Sequence, residues 1–436
     1  MEKKPSLTSV IARTSLLAAT LLSSQLCLAA GDAVEPGAAE QTDIQGKASF
    51  ALGPDGKGVV RLPSLSNKSP RAVNMPPGTN ALMRAAVQGD LARIDEELDA
   101  GVDINEQDPN GYTALAHAAG DKKLESMRHL LDRGARVDLA ENFGATPLMQ
   151  SITAGHYEGA ALLLERGAKV NARLKRSRTT PLILAAWHGH PRIVELLLAK
   201  GADIAHRNQG GSNALMTAIQ RRHASVADLL LKRGSPFDLR TVTGRSTLEI
   251  AAAVNDGAMT ARLLKLGMAV DARNKLGVTA AMRAASENAT DGLGVLVAAG
   301  ADVNARSKNG TSVLMMAASN GADKAIHLLV KHGAEVEARH PELGATALMW
   351  AVGGKQMRAV KALLELGADA NAQDELGRAP LMVAANLGRA DIVKALLNAK
   401  ANPALQDRQG KTALDWAREK NRKNVIAILQ AQASGS

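Results

Sequence analysis

A glycine recurs at a nearly constant interval along most of this chain, and that interval constrains the fold more than any other feature. Each copy closes an apolar segment rich in leucine, and successive copies lie 33 or 34 residues apart. Self-similarity at such a period is the signature of a solenoid built from small repeated units. The recurring positions are Gly101, Gly134, Gly167, Gly201, Gly234, Gly267, Gly300, Gly333 and Gly367, with Lys400 one interval further on.

Each interval contains the same order of local signals. A Thr-Ala-Leu or Thr-Pro-Leu opening precedes a pair of alanines, and an apolar-periodic segment such as residues 193–198 precedes the glycine. This spacing predicts two short antiparallel helices in each unit. The glycine suits a left-handed helix end. The residues after it, for example 301–305, are predicted to run extended into a β-hairpin arm.

The core of such units must be aliphatic. The chain of 436 residues has only three Trp, two Tyr and three Phe, although 46% of its residues are hydrophobic. Paired alanines let neighbouring units approach closely, and leucines fill the space between them. The scarcity of aromatic residues therefore follows from the repeat.

These units resemble the ankyrin repeat family. The family's Thr-Pro-Leu opening with an Ala-Ala pair is matched by residues 180–186, its Gly-His turn by residues 189–190, and its Leu-Leu-x-x-Gly-Ala close by residues 197–202. The resemblance implies an all-α ankyrin-repeat solenoid of about eleven helix-turn-helix units with β-hairpin arms, over residues 77–436. It also implies protein binding as the default role.

One departure from the family pattern is systematic. The histidine of the opening is absent from every unit, and methionine replaces it in seven of them. Methionine is a flexible apolar side chain that fills irregular gaps, so these residues are predicted to pack in the core. They are Met83, Met149, Met216, Met282, Met315, Met349 and Met382.

Residues 1–30 have the pattern of a secretory signal peptide. Three cations, Lys3, Lys4 and Arg13, precede an apolar run of fourteen residues at 15–28, and two alanines follow. A membrane anchor needs about 20 apolar residues, so cleavage near Ala29 or Ala30 is the expectation. Removal of residues 1–30 would also remove Cys27, the single cysteine.

Residues 31–76 are predicted to be a flexible linker. This stretch contains six glycines and five prolines in 46 residues and lacks helical periodicity. Such composition is typical of a connecting segment. Together with the signal peptide it divides the chain into three parts, of which only residues 77–436 form the repeat domain.

The sequence offers no pattern for catalysis, a cofactor or a metal. It contains no glycine-rich phosphate loop, nucleophile elbow or His-Glu-x-x-His motif. The pair His188 and His190 has a spacing that metal ligands use, but His190 coincides with the family's Gly-His turn, which favours a structural role. We therefore expect a non-catalytic protein with no catalytic residue, no cofactor and no metal.

Arginine occupies the same arm position in six consecutive units. Each lies six residues past a closing glycine, while the flanking units have glutamine or alanine there. Units that stack about 10 Å apart would align these cations into one basic patch that attracts acidic partners. Solvated arms without a binding role remain the alternative, because Asp238, Asp271 and Glu337 lie close enough in sequence to neutralise half of the patch. The arginines are Arg173, Arg207, Arg240, Arg273, Arg306 and Arg339.

A second candidate surface lies on the concave side of the first helices. Leu184, Trp187, Met316 and Trp350 stand among polar residues at positions predicted to be exposed there. Aromatic and methionine side chains in a polar surround are typical of protein interfaces. The alternative is that the two tryptophans fold onto adjacent units as core.

These observations predict a monomeric interaction protein, exported to the bacterial periplasm or secreted, without a membrane span in its mature form. It would bind a folded protein partner with an acidic surface, for example an exported enzyme or toxin that it stabilises or inhibits. A polyanion binder is the alternative, although the arms lack the interleaved aromatics that stack nucleic-acid bases. A host-directed effector is a third reading.

Overall fold

The computed structural model describes residues 78–434, and these form 22 helices and no strands. The helices follow one another in pairs, each pair joined by a tight turn, so the expected all-helical solenoid is confirmed. The predicted signal peptide and linker lie outside the described residues. Two compact units can be distinguished: an N-terminal unit ending at Pro236 and a C-terminal unit beginning at Phe237.

In the N-terminal unit, first and second helices alternate, and each helix packs against its counterparts in the neighbouring pairs. The helices are α1 (Ala81–Gln88), α2 (Leu91–Asp99), α3 (Ala114–Gly120), α4 (Leu124–Asp132), α5 (Pro147–Thr153), α6 (Tyr157–Glu165), α7 (Pro181–His188), α8 (Pro191–Ala199), α9 (Ala214–Gln220) and α10 (Ala224–Lys232).

The C-terminal unit continues the same alternation within itself. Its helices are α11 (Thr247–Ala253), α12 (Gly257–Lys265), α13 (Ala280–Ser286), α14 (Thr290–Ala298), α15 (Val313–Ser319), α16 (Asp323–Lys331), α17 (Ala347–Gly353), α18 (Met357–Glu365), α19 (Pro380–Leu387), α20 (Ala390–Asn398), α21 (Ala413–Glu419) and α22 (Lys423–Ser434). No helix of residues 78–434 has the length and apolarity needed to cross a bilayer.

The first helix of most pairs begins at a Thr, Ser or Asn whose side chain caps it. The Thr180 hydroxyl accepts a hydrogen bond from the backbone N–H of Ile183 at 3.4 Å, and Asn213 Oδ1 accepts one from Met216 at 2.9 Å. Such a cap satisfies an N–H that has no partner within the helix. The threonine of the repeated opening therefore fixes where the helix starts.

The predicted methionine packing is confirmed. All seven methionines of the opening are 2% exposed or less. The paired alanines beside them, such as Ala284 and Ala285, are completely buried. Side chains of this size allow first helices to stack closely, so the column of small residues and methionines forms the inner core of each unit.

The arms between the pairs are closed turns, and the predicted β-hairpins are not confirmed. Within the described residues they contain only two isolated antiparallel bridges, Arg240 with Ser246 and Arg306 with Ser312. A backbone bond such as that from Asn274 N to Val278 O, at 3.0 Å, closes each turn, and Lys308 N donates to Leu276 O of the previous arm at 3.0 Å. Successive arms are therefore joined by single backbone hydrogen bonds and not by the ladder of bonds that pairs two strands.

The closing glycines are required for backbone conformation and not for space. Gly367 has φ +87°, and a Cβ added there would meet nothing within 4 Å. The same is true of the closing glycines from Gly101 to Gly333. Lys400, which occupies this position in the next pair, has φ +63°. A lysine in this region is strained by roughly 1 kcal/mol or more.

Replacing Lys400 with glycine should therefore stabilise the protein by about 1 kcal/mol. Urea unfolding monitored by circular dichroism would measure the change. Lys400→Ala is the matched control, since it removes the charge and the side chain but keeps the strained backbone. If alanine stabilises the protein as much as glycine does, strain is not the cause.

Candidate partner-binding surface

The arginines of the C-terminal unit bind backbone carbonyls of two successive arms. Arg306 Nη1 donates to Gly310 O in its own arm at 3.0 Å and to Arg339 O in the next arm at 3.1 Å. Arg273 makes the equivalent bonds to Gly277 O and Arg306 O. We call this arrangement the arm clamp. It links consecutive arms and holds each guanidinium in place.

Arg339 completes the row and shows how regular the clamp is. Its Nη1 donates to Gly344 O at 3.2 Å and to Gln373 O at 2.6 Å. Arg273 and Arg339 are exposed, and Arg306 is half-buried. The three side chains therefore lie on successive arms at the surface of the C-terminal unit.

Glutamine makes the same clamp where the sequence has no arginine. Gln373 Nε2 donates to Gly377 O at 2.6 Å and to Gln406 O at 2.9 Å. In the N-terminal unit, Gln107 Nε2 donates to Gly111 O at 2.5 Å and to Ala140 O at 3.0 Å. The clamp needs an N–H group but no charge. The positive charge of the arginines is thus additional to their structural role.

Asp271 and Glu337 bind backbone N–H groups of the next arm, and neither forms an ion pair with Arg273 or Arg339. Asp271 accepts hydrogen bonds from the backbone N–H of Asp302, at 3.2 Å to each carboxylate oxygen. Glu337 Oε1 accepts one from Asp369 N at 2.9 Å. Within residues 78–434, no carboxylate lies within ion-pair distance of Arg273, Arg306 or Arg339. The neutralisation considered from the sequence is therefore absent from these three arms.

Arg240, the first arginine of the C-terminal unit, lies in a different environment. Its Nη1 is 3.8 Å from Oε1 of Glu249, a carboxyl group that is 1% exposed. Asn274 Nδ2 donates to the other carboxyl oxygen at 3.2 Å. Burial raises the pKa of Glu249, and its hydrogen bond with Ser246 opposes that shift. Arg240 thus has a nearby acidic group that the next three arginines lack.

In the N-terminal unit the arm arginines are Arg173 and Arg207. Arg207 Nε donates to Gly211 O of its own arm at 2.8 Å, and Arg173 is exposed. The arm that follows Arg173 is more basic than the others, because Lys175, Arg176 and Arg178 are all exposed on it. This arm is the most densely charged one of the N-terminal unit.

Apolar side chains stand at the tips of some arms. In the C-terminal unit Val242 is 58% exposed and Leu276 is 48% exposed, and in the N-terminal unit Phe143 is 40% exposed. Such side chains can contribute apolar contact area when a partner covers the arms. No sequence pattern indicates these tips, because each is a single apolar residue within a polar turn.

The concave candidates divide into two classes. Leu184 and Trp187 are half-buried, and the guanidinium of Arg221 lies 4.0 Å from the centroid of the Trp187 ring. Met316 and Trp350 are buried, with 7% and 3% exposure. The Trp350 ring stacks beside His340, with centroids 5.9 Å apart. Met316 and Trp350 are therefore not exposed anchors in this structure.

The histidines at the turns pack between neighbouring pairs of helices. The His223 ring occupies the space beside Gly189, where a Cβ would come within 2.4 Å of it, and its Nε2 lies 3.0 Å from Trp187 O. The His190 ring covers Gly155 in the same way. Within the described residues, no group of three or more His, Cys, Asp or Glu side chains could hold a metal ion.

Burial favours the neutral form of several of these imidazoles by lowering their pKa. It lowers the pKa of His156, and it lowers the pKa of His188 to about 4, with additional contributions from His190, Arg221 and His223. The pKa of His190 is also lowered by burial. The His188 and His190 rings stack with centroids 5.9 Å apart, so protonation of both would bring like charges close together.

A sequence model of the family described as ankyrin repeats, in three copies, matches residues 82–174, 171–241, 281–374 and 348–435, which include more than half of the chain. No curated protein matches. Among solved structures, the crystal structure of the human ASB11 ankyrin repeat domain is 26% identical, covers 51% of this chain and 99% of that chain, and has a TM-score of 0.47.

The lowered pKa values predict that the N-terminal unit loses stability in mild acid. Above pH 6.5 the imidazoles are neutral both folded and unfolded, whereas between pH 6.5 and about 4 the unfolded chain binds more protons. We expect a loss of roughly 1–2 kcal/mol by pH 5, after allowing for solvent screening. Hydrogen exchange of α7 and α8, corrected for intrinsic rates, would measure it. His188→Gln should reduce the loss, and the exposed His332→Gln should not; equal losses in all three proteins would contradict the prediction.

Proposed function

Because this chain belongs to the ankyrin repeat family, whose members generally mediate protein–protein interaction, we propose that it is a non-catalytic scaffold. It binds a folded protein partner with an acidic surface through its arms, with Leu184 and Trp187 of the concave side as further contacts. We count eleven units from the period of the sequence. Binding of this kind requires surface side chains that are held in fixed positions, and it requires no catalytic residue.

The observation that carries this proposal is the row of clamped arginines on the C-terminal unit. Arg273, Arg306 and Arg339 are held by backbone carbonyls, and no carboxylate of the described residues pairs with them. A guanidinium fixed in this way keeps its charge and retains N–H groups for another acceptor. An acidic protein surface would supply that acceptor.

Exposed apolar side chains on the same arms favour a protein partner over a polyanion. Leu276 lies between the clamp of Arg273 and the exposed Lys308 of the next arm. Apolar contact contributes to a protein interface, whereas nucleic acid would need aromatic residues on which bases stack. No Phe, Tyr or Trp occurs on the arms at 240–245, 273–278 and 306–311.

We also propose that the chain is exported through its N-terminal signal and works in the bacterial envelope as a monomer. Support comes from the sequence alone, in the three cations, the apolar run at 15–28 and the two alanines that follow. An exported enzyme or toxin is then the class of partner that the scaffold would meet and stabilise or inhibit.

Photo-crosslinking from an arm tip tests partner binding. We expect that a benzoylphenylalanine placed at Leu276 of the full chain forms a protein adduct in the cells that naturally produce it. The triple variant Arg273→Gln, Arg306→Gln and Arg339→Gln should reduce that adduct at least fivefold, because glutamine keeps the clamp but removes the charge. Gel electrophoresis and mass spectrometry would quantify and identify the adduct.

The matched control changes the same amount of charge elsewhere. Lys324, Lys361 and Lys394 are exposed on second helices, and their replacement by glutamine should leave the adduct unchanged. Absence of any protein adduct at Leu276, or equal loss in both triple variants, would show that the arms do not bind a specific protein. An adduct with nucleic acid or polysaccharide would instead support the polyanion alternative.

Export is tested separately by sequencing the mature N-terminus. We expect cleavage after Ala29 or Ala30, and the processed chain should appear in the periplasmic fraction or the medium. Replacing two leucines of the apolar run, Leu21 and Leu22, with arginine should prevent processing, since the run would become too polar to be recognised. An unprocessed chain that fractionates with the cytoplasm would overturn the proposal.

A further inference from the structure

We propose that Arg273, Arg306 and Arg339 form a carboxylate-binding row that takes one extended acidic segment of the partner, with an Asp or Glu at every third residue. This inference rests on the proposed function and specifies the chemistry that the arms recognise. It concerns only the C-terminal unit, where the three side chains lie on consecutive arms.

The clamp prepares the row for binding before any partner arrives. Each Nη1 already donates to two carbonyls, as Arg306 does to Gly310 O and Arg339 O. An arginine in solution loses side-chain entropy when it pairs, and a clamped one has already lost most of it. The remaining N–H groups of each guanidinium can then bind a carboxylate without the usual ordering cost.

The spacing of the row selects the shape of the segment. Packed helices lie about 8–10 Å apart, so successive arms are separated by about that distance. A polyproline II segment rises about 3.1 Å per residue with three residues per turn, so every third side chain lies on one face about 9 Å apart. In a β-strand, every third side chain alternates between opposite faces. The polyproline II form therefore matches three consecutive guanidiniums.

A helical partner fits the row less well. Seven helical residues would span about 10.5 Å, so three contacts would require about fifteen residues in one stable helix. An extended segment needs only seven residues. Its intervening side chains can also meet the exposed Lys275, Leu276 and Lys308, which lie between the arginines in sequence.

The test compares two peptides of identical composition with the full chain. The first has the core Glu-Pro-Pro-Glu-Pro-Pro-Glu and the second Pro-Pro-Glu-Glu-Glu-Pro-Pro, each with a fluorescent label. In anisotropy titrations at low salt, the periodic peptide should have a dissociation constant at least fivefold lower than the clustered one. The variant Arg306→Gln should abolish that difference, and the exposed Lys361→Gln should preserve it. Urea unfolding would verify that both variants remain folded.

Each other result overturns the inference. Equal affinity for the two peptides means that net charge alone is recognised, and no binding of either means that the row is not a carboxylate site. Tighter binding of a helical peptide with Glu at every seventh residue assigns the row to a helix, and tighter binding of inorganic polyphosphate assigns it to phosphate. If the arginine-dependent adduct at Leu276 persists in any of these cases, the proposed function stands and only the segment chemistry fails.

Discussion

Within each compact unit, the structure depends on hydrogen bonds that one pair of helices makes to the next pair. Asn304 Oδ1 accepts the backbone N–H of Glu335 at 3.0 Å at the base of an arm, and the Arg306 clamp joins the same two arms nearer the tip. Arms with no strand of their own must satisfy their polar backbone groups in this way. The nearly constant period is consistent with this dependence. One extra residue in an arm is tolerated, because Arg339 still reaches Gly344 O and Gln373 O across an arm and an interval that are each one residue longer.

Arginine and glutamine both form the arm clamp at equivalent positions, so the clamp does not depend on the positive charge of the arginines. Arg339 and Gln373 occupy equivalent positions in successive arms and bind the same kind of carbonyl. A basic arm is therefore compatible with the fold but not required by it. Replacing one of these arginines with glutamine therefore removes the charge while the hydrogen bonds of the clamp can still form.

Sequence reasoning predicted the helices, the left-handed glycines and the methionine core, because all three follow from a local pattern repeated many times. It did not predict the clamp, since the acceptor of Arg306 is the backbone of Arg339, and a backbone carbonyl leaves no mark on the sequence. The role of Asp271 was missed for the same reason. The burial of Trp350 could not be read from its polar neighbours, because it depends on how neighbouring elements pack around it.

The length of the arginine row is set by its two ends. At one end, Arg240 lies beside Glu249. Glu249 occupies the position that methionine has in most other pairs of helices. At the other end, Gln373 keeps the clamp but has no charge. Between these two ends lie the arms of Arg273, Arg306 and Arg339, whose guanidiniums bind neutral backbone carbonyls. A partner that uses the charge of this surface therefore meets the three clamped arginines over about 20 Å, with the exposed Lys275 and Lys308 between them, and one short extended segment of an acidic partner can span that length.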